Sequence, residues 1–100
     1  MADKRSYISI LKPSRSNMHA SVTKEQAEIF EQHCNYVKEE FAAGNIRLAG
    51  TSFESGQEHF AIVILTAEDK AAAEALINAD PAVEKGLLTS RLTEFNFFVY

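Results

Sequence analysis

The chain has 100 residues, 46% of them hydrophobic and 24% charged, with a net charge of −4. That length makes a single domain, residues 1–100, able to bury roughly 60–70% of its unfolded surface. The acidic balance argues against a phosphate-backbone binder, because nucleic-acid domains present a basic face and no Lys/Arg run here exceeds Lys4-Arg5.

The run Tyr7-Ile8-Ser9-Ile10-Leu11 predicts a first strand, with Tyr7, Ser9 and Leu11 on one face and Ile8 and Ile10 on the other. Pro13 closes it, since proline has no N–H to give to a ladder. Ser14 to Val22 is polar and aperiodic and reads as a loop; its Arg15, Asn17 and His19 can line a pocket or simply decorate a solvated connector. Thr23 and Gln26 form a T-x-x-Q capping box, in which the hydroxyl takes one orphan N–H and the glutamine reaches back to another. The helix it opens runs from about Lys24 to Ala43, and Gly44 supplies the left-handed residue that ends it.

Along that helix Phe30, Cys34, Val37 and Phe41 recur at i, i+4, i+7 and i+11 and define the expected buried stripe, with Cys34 as a small core hydrophobe. His33 lies about 60° round from it, at the edge of the buried face. The next strand places Ile46, Leu48 and Gly50 on one side and Arg47, Ala49 and Thr51 on the other, and Phe53 ends it. Glu54 to Glu58 is a hairpin loop around Gly56. His59 to Leu65 is apolar on both faces, which predicts a strand covered on both sides. Thr66 is a possible cap for an alanine-rich helix from Ala67 to Ala79, with Ala72, Ala75, Leu76 and Ala79 towards the core. Asp80-Pro81 starts a short helical turn with Asp80 as N-cap, and Gly86 ends it. The last strand, Leu87 to Tyr100, changes phase and predicts a bulge near Thr93-Glu94.

The order β-α-β-β-α-β is the split βαβ of ferredoxin-like α+β domains, an antiparallel sheet with helices on one face. The two-sided apolar strand implies that the other face is covered too. A second copy of the same sheet would do it, so a homodimer packed face to face is expected. The single Cys34 excludes an intrachain disulfide, and no stretch approaches the ~20 apolar residues of a membrane span. The start MADKRSYISIL holds too short an apolar run for a signal peptide, so a cytoplasmic location is expected.

His19, His33 and His59 match no zinc spacing, and glycine-rich phosphate loops and G-x-S-x-G elbows are absent, so no metal and no cofactor is expected. The pairing that carries chemistry is His33 with Asp80. Side-by-side helices would bring the middle of the first towards the end of the second. A carboxylate holding one ring nitrogen fixes the tautomer and leaves the other nitrogen as a general base or acid. The plain alternatives are a half-buried structural ring and an aspartate that only caps a helix.

The segment HCNYVKEEFAAGNIRLAG resembles the YciI-like (YCII-related) family, in which a histidine opens H-x-x-Y-[LV]-K-x-x-x-x-x-G-x-[LI]-x-[LV]-A-G, and ADPAVEKGLL resembles its A-D-P-x-V-x-x-G-L. The resemblance spans about residues 30 to 92, and it implies a dimeric α+β barrel of ferredoxin-like subunits with a histidine–aspartate active site that falls on His33 and Asp80. Phe30 stands where the family often has Arg, Thr51 where it often has Pro, and the Glu54–Glu58 loop is short.

Two functions remain open from the residues. One is a small cofactor-free enzyme in which His33, oriented by Asp80, moves a proton on a small organic molecule, with Ser14, Arg15, Ser16 and Thr51 as candidates to bind it. The other is a non-catalytic module that binds a small ligand or a partner.

Overall fold

Alternation in the first apolar run sets the sheet. In a computed structural model that describes residues 4–14, 23–54 and 58–98, strand β1 spans Arg5–Pro13. Tyr7, Ser9 and Leu11 turn inward and are buried, while Ile8 and Ile10 face the other way. Helix α1 (Lys24–Ala42), strand β2 (Ile46–Thr51), strand β3 (Ala61–Ala67), helix α2 (Lys70–Asn78), the short helix α3 (Pro81–Glu84) and strand β4 (Leu88–Glu94) follow. The strands are all antiparallel in the order β2-β3-β1-β4, as a split βαβ requires. Every helix lies on the inner face, where Ala73, Ile77 and Ala82 join Tyr7, Leu11, Ile46, Val63, Leu65 and Leu88 in one core. None of the helices is long and apolar enough to cross a membrane, among the described residues. Ser9, fully buried, meets Ser90 hydroxyl to hydroxyl at 2.6 Å, so its polar atom is not orphaned.

Local signals hold at α1. Thr23 accepts from the Gln26 N–H at 3.1 Å and Gln26 Oε1 accepts from the Thr23 N–H at 2.9 Å, a complete capping box. Gly44 stops the helix at φ 87°. The rotation of the helix differs from expectation. The packed residues are Ile29, Phe30 and Val37, with His33 and Tyr36 between them, so the inward face is centred on His33. The face has turned by about 60° relative to the apolar stripe. Cys34 is exposed, not a core hydrophobe, and Phe41 is 59% exposed. A buried carboxylate opposite the helix accounts for the turn, because leaving it unpaired would cost more than exposing a thiol and part of a phenyl ring.

Two phase assignments also change. The bulge lies in β2, not near Thr93-Glu94: Ile46 pairs with Leu65 and Leu48 with Ile64, which leaves Arg47 as the extra residue. Ile46 is therefore buried, whereas Leu48 is on the outer face and Ala49 and Thr51 on the inner one. The β1–β4 ladder runs without a break from Tyr7↔Glu94 to Pro13↔Leu88, and the chain leaves the sheet after Glu94. Phe95 and Phe97 meet edge to face, and the Arg47 guanidinium lies 5.7 Å from the Phe97 ring centre. The last two residues of the strand expected to reach Tyr100 are outside the described residues, as are residues 55–57 of the hairpin loop.

The cap of α2 is Asp69, which accepts from the Ala72 N–H at 2.8 Å; Thr66 is within β3. The buried face of α2 is Ala73 and Ile77, with Leu76 beside them, rather than Ala72, Ala75 and Ala79. Burying an isoleucine removes more apolar area than burying an alanine, which decides the rotation. Asp69→Ala should cost about 1 kcal/mol in urea unfolding, the usual worth of an N-cap. Thr66→Ala should leave the helical signal of α2 unchanged.

Candidate functional site

The rotation of α2 carries Asp80 inward. Ala73, Leu76, Ile77 and Asp80 are spaced i, i+3, i+4 and i+7, so the residue just past the helix end continues its buried stripe. Asp80 is 4% exposed. Its backbone is held at both groups: the N–H donates to Ile77 and the carbonyl accepts from Glu84. Oδ1 accepts from the Ala82 N–H at 2.9 Å and caps α3, with Pro81 at the first helical position. Oδ2 meets His33 Nδ1 at 2.5 Å. The carboxylate thus both caps and pairs, and the two readings of Asp80 are not alternatives. With the aspartate ionised, Nδ1 donates, and Nε2 is the nitrogen that Asp80 does not hold.

One turn along α1, the Tyr36 hydroxyl donates to the Leu76 carbonyl at 2.7 Å. This bond ties α1 to the end of α2, four residues before Asp80. Burial chiefly, then the charges of Glu40 and Asp80, push the Tyr36 hydroxyl up to about 12 from 10.0. The sequence motif contains this tyrosine three residues after His33, a spacing that shares a helix side, yet no role was expected for it.

Beside the ring a cleft of about 330 Å³ opens between α1 and the inner face of β2 and β3. His33, Cys34, Val37 and Lys38 form its helical wall, and Thr51 and Val63 are among the strand residues opposite. Of the apolar stripe of α1, Cys34 and Val37 border this hollow, while Phe30 and Val37 also pack on the core. Of the residues expected to bind a small molecule, Thr51 lines the cleft with His33. Ser14 does not: it is exposed, and its N–H donates to the Leu87 carbonyl at 3.0 Å. Arg15 and Ser16, like His19, lie outside the described residues. His59 does not line this cleft; its Nδ1 lies 2.9 Å from the Glu54 carbonyl oxygen. No group of three or more potential metal ligands occurs among the described residues.

The split βαβ architecture that carries this pair is shared with known proteins. The chain belongs to the YCII-related domain family, which it matches over residues 8–96. No curated protein matches it in sequence. Among solved structures it is similar to 5-chloro-2-hydroxyhydroquinone dehydrochlorinase (TftG) from Burkholderia phenoliruptrix, in complex with 2,5-dihydroxybenzoquinone. The TM-score is 0.66 at 15% identity, over 90% of this chain and 93% of that one. It is also similar to the uncharacterized protein TM1266 from Thermotoga maritima (TM-score 0.52, 17% identity, 94% and 100% of the two chains). A third is SnoaB, a cofactor-independent oxygenase from Streptomyces nogalater (TM-score 0.50, 12% identity, 99% and 97%). At these identities the likeness is one of fold.

Asp80→Ala should destabilise the protein by more than the roughly 0.5–2 kcal/mol of a lost cap, because the half-buried His33 ring also loses its acceptor. The His33→Ala/Asp80→Ala pair should be clearly non-additive in a double-mutant cycle of urea unfolding. For Tyr36 the sign is fixed by the upward shift. Its stabilising share is complete below pH 10.0 and is lost as pH rises towards about 12, since the unfolded chain gives up this proton first. Tyr36→Phe should flatten the fall in unfolding free energy across that window.

Proposed function

We propose that this chain is a small cofactor-independent enzyme that moves a proton on a small organic substrate. The observation that supports this most is the hydrogen bond from His33 Nδ1 to the buried, doubly used Asp80, on a ring that borders a cleft. Nε2 takes a proton from an O–H or C–H of the substrate. The imidazolium that forms is stabilised by the Asp80 carboxylate, and the electron pair stays on the substrate as an oxyanion or enolate until a proton returns or a leaving group departs. Thr51, which lines the opposite wall, is our candidate to orient the substrate; Ser14, Arg15 and Ser16 stay candidates from the sequence.

The similar dehydrochlorinase is named for chemistry on a small aromatic molecule, and this guides the choice of assay. With 5-chloro-2-hydroxyhydroquinone as probe and chloride release as readout, His33→Gln should abolish turnover and Asp80→Asn should lower it. Undiminished turnover in His33→Gln would remove the ring from the mechanism. A second reading, a non-catalytic binding module, is favoured by the capping role of Asp80. It would be recognised by ligand binding without turnover.

The working form we propose is a cytoplasmic homodimer. Ile8, Ile10, Leu48 and Ile62 share the outer face of the sheet by register around Ile64, which is already buried, and the helices among the described residues are on the other side. A patch of this kind on a sheet calls for a cover, and a second sheet about a two-fold axis provides one. Light scattering should give twice the chain mass, and Ile10→Asp with Ile62→Lys should yield monomers.

A further inference from the structure

The cleft beside His33 does not end at Thr51. A second hollow of about 400 Å³, bordered by Phe41 and Leu48, shares Val37, Lys38 and Ala49 with it. The two make one groove along α1 above β2, with mostly apolar walls and Lys38 at the join. Lys38 stands on the exposed side of α1. Its neighbours at i±3 and i±4 are Cys34, Asn35, Phe41 and Ala42, none of them acidic. It takes part in no ion pair among the described residues. Arg47, the other cation at this groove, is set over the Phe97 ring. On a chain with a net charge of −4, an ammonium without a carboxylate partner at the rim of an apolar groove is a place where an anion gains both attraction and a dry neighbour.

We propose that Lys38 anchors the charged group of a small apolar acid, a carboxylate or phenolate, whose apolar body lies along the groove towards His33. This rests on the groove being the substrate site and assigns the class of molecule it takes. The anchor is on the same helix as the base, so a bound acid is fixed at one end while its body reaches the ring. Lysine suits this role because its ammonium is a point charge on a stem that itself packs on apolar surface.

The test uses the full chain in its native oligomeric state and two probes of matched shape, sodium benzoate and benzamide, followed by amide NMR shifts at Val37 and at Ala49 to Thr51. Benzoate should bind in the groove, and Lys38→Met should weaken it about tenfold or more, the worth of one charged hydrogen bond. Lys38→Arg should restore most of the loss, and benzamide should bind wild type and Lys38→Met alike. Equal benzoate affinity in wild type and Lys38→Met would overturn the proposal. So would benzamide binding the wild type as tightly as benzoate, or benzoate leaving these amides unmoved. Binding is read without turnover. Lys38-dependent benzoate binding in a protein that releases no chloride would sink the catalytic reading alone, whereas His33-dependent turnover with Lys38-independent binding would sink only this one.

Discussion

The buried carboxylate of Asp80 is the constraint on which the helical layer depends. A carboxyl group at 4% exposure needs its oxygens satisfied by groups of the protein itself. One oxygen takes the first free N–H of α3 and the other takes the ring of α1. The same side chain therefore starts one helix and orients another. Tyr36 adds a second tie from α1 to the carbonyl end of α2. Together the two bonds fix the rotation of α1, and that rotation decides which of its residues reach the core and which face the cleft.

Much of the architecture could be read from local rules. The capping box at Thr23, the stop at Gly44, the Asp80-Pro81 start and the two-sided apolar strand each have a cause within a few residues, and each is where expected within a residue or two. What escaped were the choices made across the fold. The apolar stripe of α1 has a clean helical period, yet Cys34 and Phe41 face out because the helix answers to Asp80 rather than to its own most apolar side. Alanines at 72, 75 and 79 gave a plausible face for α2, but Ile77 has more area to bury. The β2 bulge has no signature in a strand with few large residues, and pairing with β3 alone reveals it.

The site was legible to a similar degree. His33 and Asp80 could be named from motif and topology, and Thr51 lines the same hollow. Tyr36 and Lys38 stood in the same stretch without drawing notice. A hydroxyl that ties two helices and a lysine that lacks an acid neighbour mean something only once the packing is known.

The extra residue at Arg47 sets the reading frame of the edge strand. Because of it, small side chains, Ala49 and Thr51, form the floor beside His33, and Leu48 is on the outer face of the edge strand, where it borders only the second hollow beside Phe41. Pairing Arg47 with Ile64 at constant length would iron out the bulge, exchange the two sets and turn Leu48 towards the hollow beside Thr51, whereas deleting Arg47 would leave the later register as it is. Keeping or ironing out this one bulge therefore opens or fills the cavity while the fold stays intact, which gives a simple route for relatives with the same skeleton to acquire or lose room for a guest.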